Sequence, residues 1–123
     1  MKVLWFEMKV PGRYKTGNPE GGWQDALEVV VRKSKEIALW IAFEGTEGMT
    51  PKEVEGVHYI PLCPHFSLWE THYSNYANRW HHVNKVIPLA VDCINKVKPD
   101  LIQVFGSEWG FGQVARYTNI PVV

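Results

Sequence analysis

The chain has 123 residues, room for one compact domain, and its 46% hydrophobic and 21% charged residues exclude a disordered polymer. Thirteen Lys and Arg balance thirteen Asp and Glu, so no net field draws nucleic acid or anionic lipid, and binding must come from local geometry. Two cysteines, Cys63 and Cys93, are too few for a disulfide framework or zinc site and suit a reducing, cytoplasmic compartment. The apolar start is too short for a signal peptide, and no run reaches the roughly twenty apolar residues of a membrane span.

Residues 2–6 form a β-rich run that predicts a buried strand. A polar loop follows over residues 7–20, marked by Pro11-Gly12 and Gly17-Asn18-Pro19. Trp23, Ala26, Leu27, Val30 and Val31 then recur at helical spacing, which predicts an amphipathic helix whose Gln24, Asp25, Glu28 and Arg32 face away from the core. Residues 37–43, the most apolar run, predict a second buried strand. Residues 44–56 read as an acidic, glycine-bearing loop in which Pro51 prevents regular pairing. Residues 57–60 predict a third strand, ended by Pro61 and Pro64.

Residues 63–75 show no period and read as an ordered loop or a short lid. Tyr76, Trp80, Val83, Ile87, Ala90, Val91, Ile94 and Val97 step by three and four, predicting a long helix with a kink at Pro88. After Pro99-Asp100, residues 101–105 predict a fourth buried strand. Residues 106–112 make the next strand-to-helix loop, and Phe111, Val114, Ala115 and Thr118 supply a short helix face. Residues 120–123 begin a fifth strand, and a stop at that point leads us to expect a fragment of a longer protein.

Strands alternating with helices predict an α/β fold, Rossmann-like and three-layered, with a parallel sheet ordered third, second, first, fourth, fifth. Ligands of such sheets bind beyond the carboxyl ends of the strands where winding reverses, here between the first and fourth strands. The loops of residues 7–22 and 105–112 line that crevice. Gly21-Gly22 opens the first amphipathic helix, where bare amides favour an anion; equally, the pair only lets the loop turn into the helix. Neither a dinucleotide fingerprint nor a P-loop is present.

Glu108, beside Gly106, Ser107 and Trp109, could accept hydrogen bonds from sugar hydroxyls while Trp109 offers an aromatic face. Alternatively, it favours the positive end of the helix that follows. Glu7 either shares the crevice or is an exposed loop charge. His58, His65 and His72 lie seven apart and His81-His82 are adjacent, spacings that fit solvated or packed histidines better than a metal site. Trp69, Tyr73, Tyr76 and Trp80 cluster as a sugar- or lipid-facing platform, or as core or a domain interface.

Lys2-Val3-Leu4-Trp5-Phe6, the Gly21-Gly22 pair before a helix, Lys98-Pro99-Asp100-Leu101-Ile102-Gln103-Val104-Phe105-Gly106 and the trailing Ile120-Pro121-Val122-Val123 carry a family likeness in their order and spacing. Over nearly the whole chain it resembles the N-terminal domain of family 4 glycosyltransferases. The resemblance implies that residues 1–123 are the acceptor-side domain, the first half of a GT-B architecture in which two Rossmann-like domains face each other across a cleft. It implies retaining, hexosyltransferase-type transfer from a nucleoside-diphosphate sugar to a glycan, lipid or small-molecule acceptor, without metal or other cofactor. The C-terminal domain of the same chain would hold the nucleotide-sugar, and nucleic acid is no partner.

By the same resemblance, Gly21 and Gly22 would approach the donor diphosphate or transferred sugar. Glu7, Gly106, Ser107 and Trp109 would line the acceptor side, and Glu108 would be the catalytic carboxylate. In one departure, the family's fourth strand often reads Asp-x-x-His-x-His, whereas Gln103 and Phe105 stand at the histidine places here. Glu108 is then the residue left to supply the lost polar contact. Alone, the chain is expected to be inactive, and to be cytoplasmic or peripheral to a membrane. A free-standing flavodoxin-like binding or signalling domain is the alternative, although Glu7 stands alone where such regulators gather magnesium-binding acids. A flavin or NAD module lacks its glycine fingerprint.

Overall fold

The computed structural model describes residues 1–65, 77–106 and 110–123, with all their side chains except those of residues 77–83. Five strands form one open sheet: β1 (Lys2–Glu7), β2 (Ala38–Glu44), β3 (Lys52–Val54), β4 (Val57–Leu62) and β5 (Leu101–Val104), ordered β3-β4-β2-β1-β5. β1 is parallel to β2 from Lys2–Ala38 to Glu7–Phe43 and parallel to β5 from Val3–Leu101 to Phe6–Val104. β4 runs parallel along the other side of β2. Beyond β5, Ile102 bridges Val122 in parallel, and the Val104 N–H donates to the Val123 carbonyl at 2.9 Å. The strand order therefore agrees with the alternation of the sequence, and the winding reverses between β1 and β5.

Residues 44–56 differ from the sequence reading, because Lys52–Val54 pairs antiparallel with β4. Pro51 stands just before that strand, where no ladder N–H is required, so it precedes the pairing without breaking it. Glu55 (φ 50°) and Gly56 (φ 83°) close the hairpin with two left-handed residues, the backbone that matches the twist of its strands.

Side chains alternate across the sheet and divide the core in two. On one face Leu4, Phe6, Ala42 and Ile102 meet the long helix and the 3-10 helix of Phe111–Arg116. Val86, Ile87, Ala90, Cys93, Ile94 and Val97 are the buried helix positions, spaced at helical intervals. Phe6 stacks on Phe111 with centroids 5.2 Å apart. The opposite face carries Val3, Trp5, Leu39, Ile41, Phe43 and Tyr59. It is covered by α1 (Gly12–Thr16), which stands within the expected loop of residues 7–20, and by α2 (Trp23–Val31). The long helix, α3 (Ala77–Val97), continues through Pro88, whose exposed position leaves the unpaired carbonyl open to water.

α2 reverses the face assigned to it by its hydrophobic spacing. Asp25 and Glu28 are only 6% and 3% exposed, whereas Trp23 is 65%, Leu27 37% and Val30 66% exposed. The physical reason lies beneath it, where Arg13 and Tyr59 present charge and a hydroxyl that only polar side chains can meet. No helix among the described residues is long and apolar enough to cross a membrane.

Candidate functional site

The polar layer under α2 is built from α1, β1, β4 and α2. Arg13 places Nε 3.3 Å from Glu28 Oε1, and its Nη1 donates to Glu55 Oε2 at 2.7 Å. The Glu28 contact is an ion pair without hydrogen-bond alignment, since the buried Nε has no hydrogen-bond acceptor. The Tyr59 hydroxyl donates to Glu28, and Arg32 adds a second guanidinium to Glu55. Buried charge survives only when paired, because desolvation alone costs several kcal/mol per ion. Burial lifts the Glu28 carboxyl above its ordinary range, and the Tyr59 bond and Arg13 partly offset this. Burial and then Glu28 raise the Tyr59 hydroxyl, so it stays a hydrogen-bond donor.

Glu7 ends β1 within this layer and is 3% exposed, which removes the exposed-loop-charge reading. Its carboxyl is pushed up to about 8, first by burial, then by Glu28 and Asp25, with Lys9 pulling it down. A carboxyl that keeps its proton near neutrality can donate a hydrogen bond or exchange a proton with a ligand at the sheet edge.

The glycine-bearing loop is fixed against the same layer. A Cβ on Gly12 would stand 2.5 Å from the Glu20 backbone nitrogen, so only glycine allows α1 and this loop to meet. The Glu20 N–H donates to Asp25 Oδ2 at 3.0 Å, tying the loop to the first turn of α2. Gly21 and Gly22 both have φ 100°, are exposed, and have open space where a Cβ would stand. Gly22 caps α2 without any side-chain hydrogen bond, and Gly21, Gly22 and Trp23 are exposed at the start of the helix.

Three aromatic rings join this loop to the end of β5. Phe105 packs edge-on against Trp5 at 5.0 Å and against Trp23 at 5.2 Å. The Phe105 N–H donates to the Phe6 carbonyl at 3.1 Å, so the next step along the strands sets Phe105 level with Glu7. Gly106 follows at φ 83°, a left-handed backbone that departs from the extended strand. Glu7, the Gly21-Gly22 loop and Gly106 thus share the carboxyl edge of the sheet. Ser107, Glu108 and Trp109 lie outside the described residues, as do Trp69, Tyr73 and Tyr76 and the side chain of Trp80.

Along the same edge, a hollow of about 340 Å³ opens at the ends of β2 and β4, lined in part by Glu44, Thr46, Glu47, Cys63 and His65. Cys63 Sγ donates to the Thr46 carbonyl at 3.1 Å, and Gly45 leaves room for the Pro61, Met49 and Cys63 side chains. His58 is a packed histidine, stacked on Trp40 at 4.5 Å with Glu53 3.7 Å away. Among the described residues, no three His, Cys, Asp or Glu side chains gather in a way that could hold a metal ion.

Arg13, Asp25, Glu28 and Tyr59 are site residues that the sequence reading missed. The one available signal was the three-residue step from Asp25 to Glu28, which sets two acids on one side of a helix. Compared with known proteins, the chain matches no family model and no curated protein.

Proposed function

We propose that the chain is the acceptor-side domain of a retaining glycosyltransferase, one half of a GT-B enzyme that works in the cytoplasm. The observation that carries this reading is the packing of Trp23 on Phe105, which draws the Gly21-Gly22 loop and the Gly106 turn to one rim of a parallel sheet beside Glu7. The donor is a nucleoside-diphosphate sugar. Its diphosphate or transferred sugar meets the exposed start of α2, where partial positive charge collects. Glu7, protonated near neutrality, donates a hydrogen bond to a sugar oxygen, and the hollow beside Glu44 and Glu47 receives acceptor hydroxyls. Ser107, Glu108 and Trp109 complete the acceptor side, with Glu108 in place of the histidine missing at Phe105. A second Rossmann-like domain supplies the remaining donors needed to stabilise the departing diphosphate.

The test is release of nucleoside diphosphate from a panel of nucleotide-sugars, measured for this chain alone and for the longer gene product. Transfer by the longer product, with none by residues 1–123, is the expected result. Turnover by the 123-residue chain refutes the division of labour. Magnesium-dependent phosphorylation of the chain, without sugar transfer by either form, would instead establish a flavodoxin-like signalling domain.

A further inference from the structure

The outward side of α2 carries Trp23, Ala26, Leu27 and Val30, while both acidic residues of the helix point inward. A soluble helix ordinarily shows water the opposite face, so this stripe requires a contact of its own. Three large side chains on a nine-residue helix about 13 Å long supply only part of the roughly 800 Å² per partner of a stable protein interface, so a second copy would have to engage neighbouring surface as well. A domain facing the cleft reaches Trp23 at the rim, but the stripe leaves that rim. α2 starts at the carboxyl edge of the sheet and descends toward the start of β2, taking Leu27 and Val30 away from the cleft.

Lys33 and Lys35 stand exposed directly beyond the stripe. Nearby acids are few and partly engaged: Glu55 holds Arg13 and Arg32, Glu20 lies 3.6 Å from Lys15, and Glu36 is exposed. An apolar stripe headed by tryptophan and followed by lysines, on a helix whose polar side is already buried, has the character of an interfacial membrane contact. We infer that α2 docks this protein on an anionic lipid surface, with Trp23, Leu27 and Val30 entering the headgroup boundary and Lys33 and Lys35 meeting lipid phosphates. The inference stands on the helix and is independent of the transferase reading.

Cosedimentation of the full chain with phosphatidylcholine vesicles, with and without phosphatidylglycerol, tests it. Binding to the mixed vesicles is expected, reduced about tenfold by Leu27→Gln with Val30→Gln, exposed positions whose substitution leaves the circular dichroism unchanged. Lys33→Gln with Lys35→Gln should weaken binding to the mixed vesicles only, and salt should erase that difference. Absence of vesicle binding, or binding indifferent to the Leu27 and Val30 changes, overturns the inference. So does a concentration-dependent dimer abolished by those same changes, which makes the partner a second copy. A longer gene product that ignores vesicles while this chain binds them also overturns it, the stripe then being covered by other sequence. Sugar transfer assayed in vesicle-free solution reports on the transferase reading separately.

Discussion

Replacing Glu7 with Gln removes the most displaced carboxyl of the site and should make the protein more stable at pH 8. The folded chain holds the Glu7 proton up to about 8, whereas the unfolded chain releases it near the ordinary 4.5. A group with a raised folded-state value contributes its full stability below 4.5, and that contribution is lost as pH rises toward 8. At about 1.4 kcal/mol per pH unit, the gap corresponds to about 5 kcal/mol as an upper bound. Glutamine keeps the shape and a hydrogen-bond donor but does not ionise. Urea unfolding of both proteins from pH 4 to 9 should show the wild type losing stability relative to the variant between about 4.5 and 8, with a constant difference above that range. Glu28, which is also raised, titrates in both proteins, so its contribution cancels in the difference apart from its coupling to Glu7. A stability difference that stays flat across this range refutes the claim that Glu7 is buried as the neutral acid.

Arg13→Ala should cost about 3 kcal/mol at pH 8, by leaving Glu28 buried without its guanidinium, and less as the pH falls and the raised Glu28 carboxyl takes up its proton; chemical denaturation over a series of pH values measures this. Gly12→Ala and Gly22→Ala should each cost about 1–3 kcal/mol for different reasons. The first is steric, against the Glu20 nitrogen, and the second is backbone strain at φ 100° with no steric contact. Thermal melts should record both losses, and d-alanine at position 22, which accepts positive φ, should rescue only the second. Cys93, buried and pushed up to about 12, should stay unmodified by a thiol reagent in the folded protein, while the half-exposed Cys63 is labelled; mass spectrometry of the peptides separates the two.

The sheet was largely legible because both of its faces are covered. Its parallel strands therefore appear as unbroken apolar runs, such as Leu4-Trp5-Phe6 and Ile41-Ala42-Phe43, that need no knowledge of their neighbours. α3 was legible for a related reason, its buried positions following the helical period across a single apolar face. β3 was not legible, since Lys52, Glu53 and Val54 are an edge strand that, among the described residues, pairs with β4 alone, and its side chains carry no buried pattern. The orientation of α2 was hidden more deeply. Hydrophobic spacing reports which side chains share a face but not what that face meets, and Arg13 and Tyr59 reach it from distant points in the chain. Glycine spacing correctly marked the loop at Gly21-Gly22, because positive φ is a local demand. The burial of Glu7 is a tertiary property and was left open for that reason.

The reversal of α2 reinforces the proton that burial already holds on Glu7. Asp25 and Glu28 are the residues that dock the helix, and they are also the two charges that raise Glu7 beyond what burial alone does. Arg13 reaches Glu28 and Glu55, and no cation is paired with Glu7 among the described residues. Were α2 turned to bury Trp23, Leu27 and Val30, Arg13 would lose its inner partner and Glu7 its two acidic neighbours. Glu7 would then lose the part of its upward shift that the two acids supply while the larger part due to burial remained, and the Glu20–Asp25 tie that holds the glycine loop would open. Hydrophobic burial foregone on the outside of α2 is thus linked to a protonated acid and a fixed glycine loop at the sheet edge. That linkage is why the outward stripe and the edge chemistry belong to one arrangement of the chain.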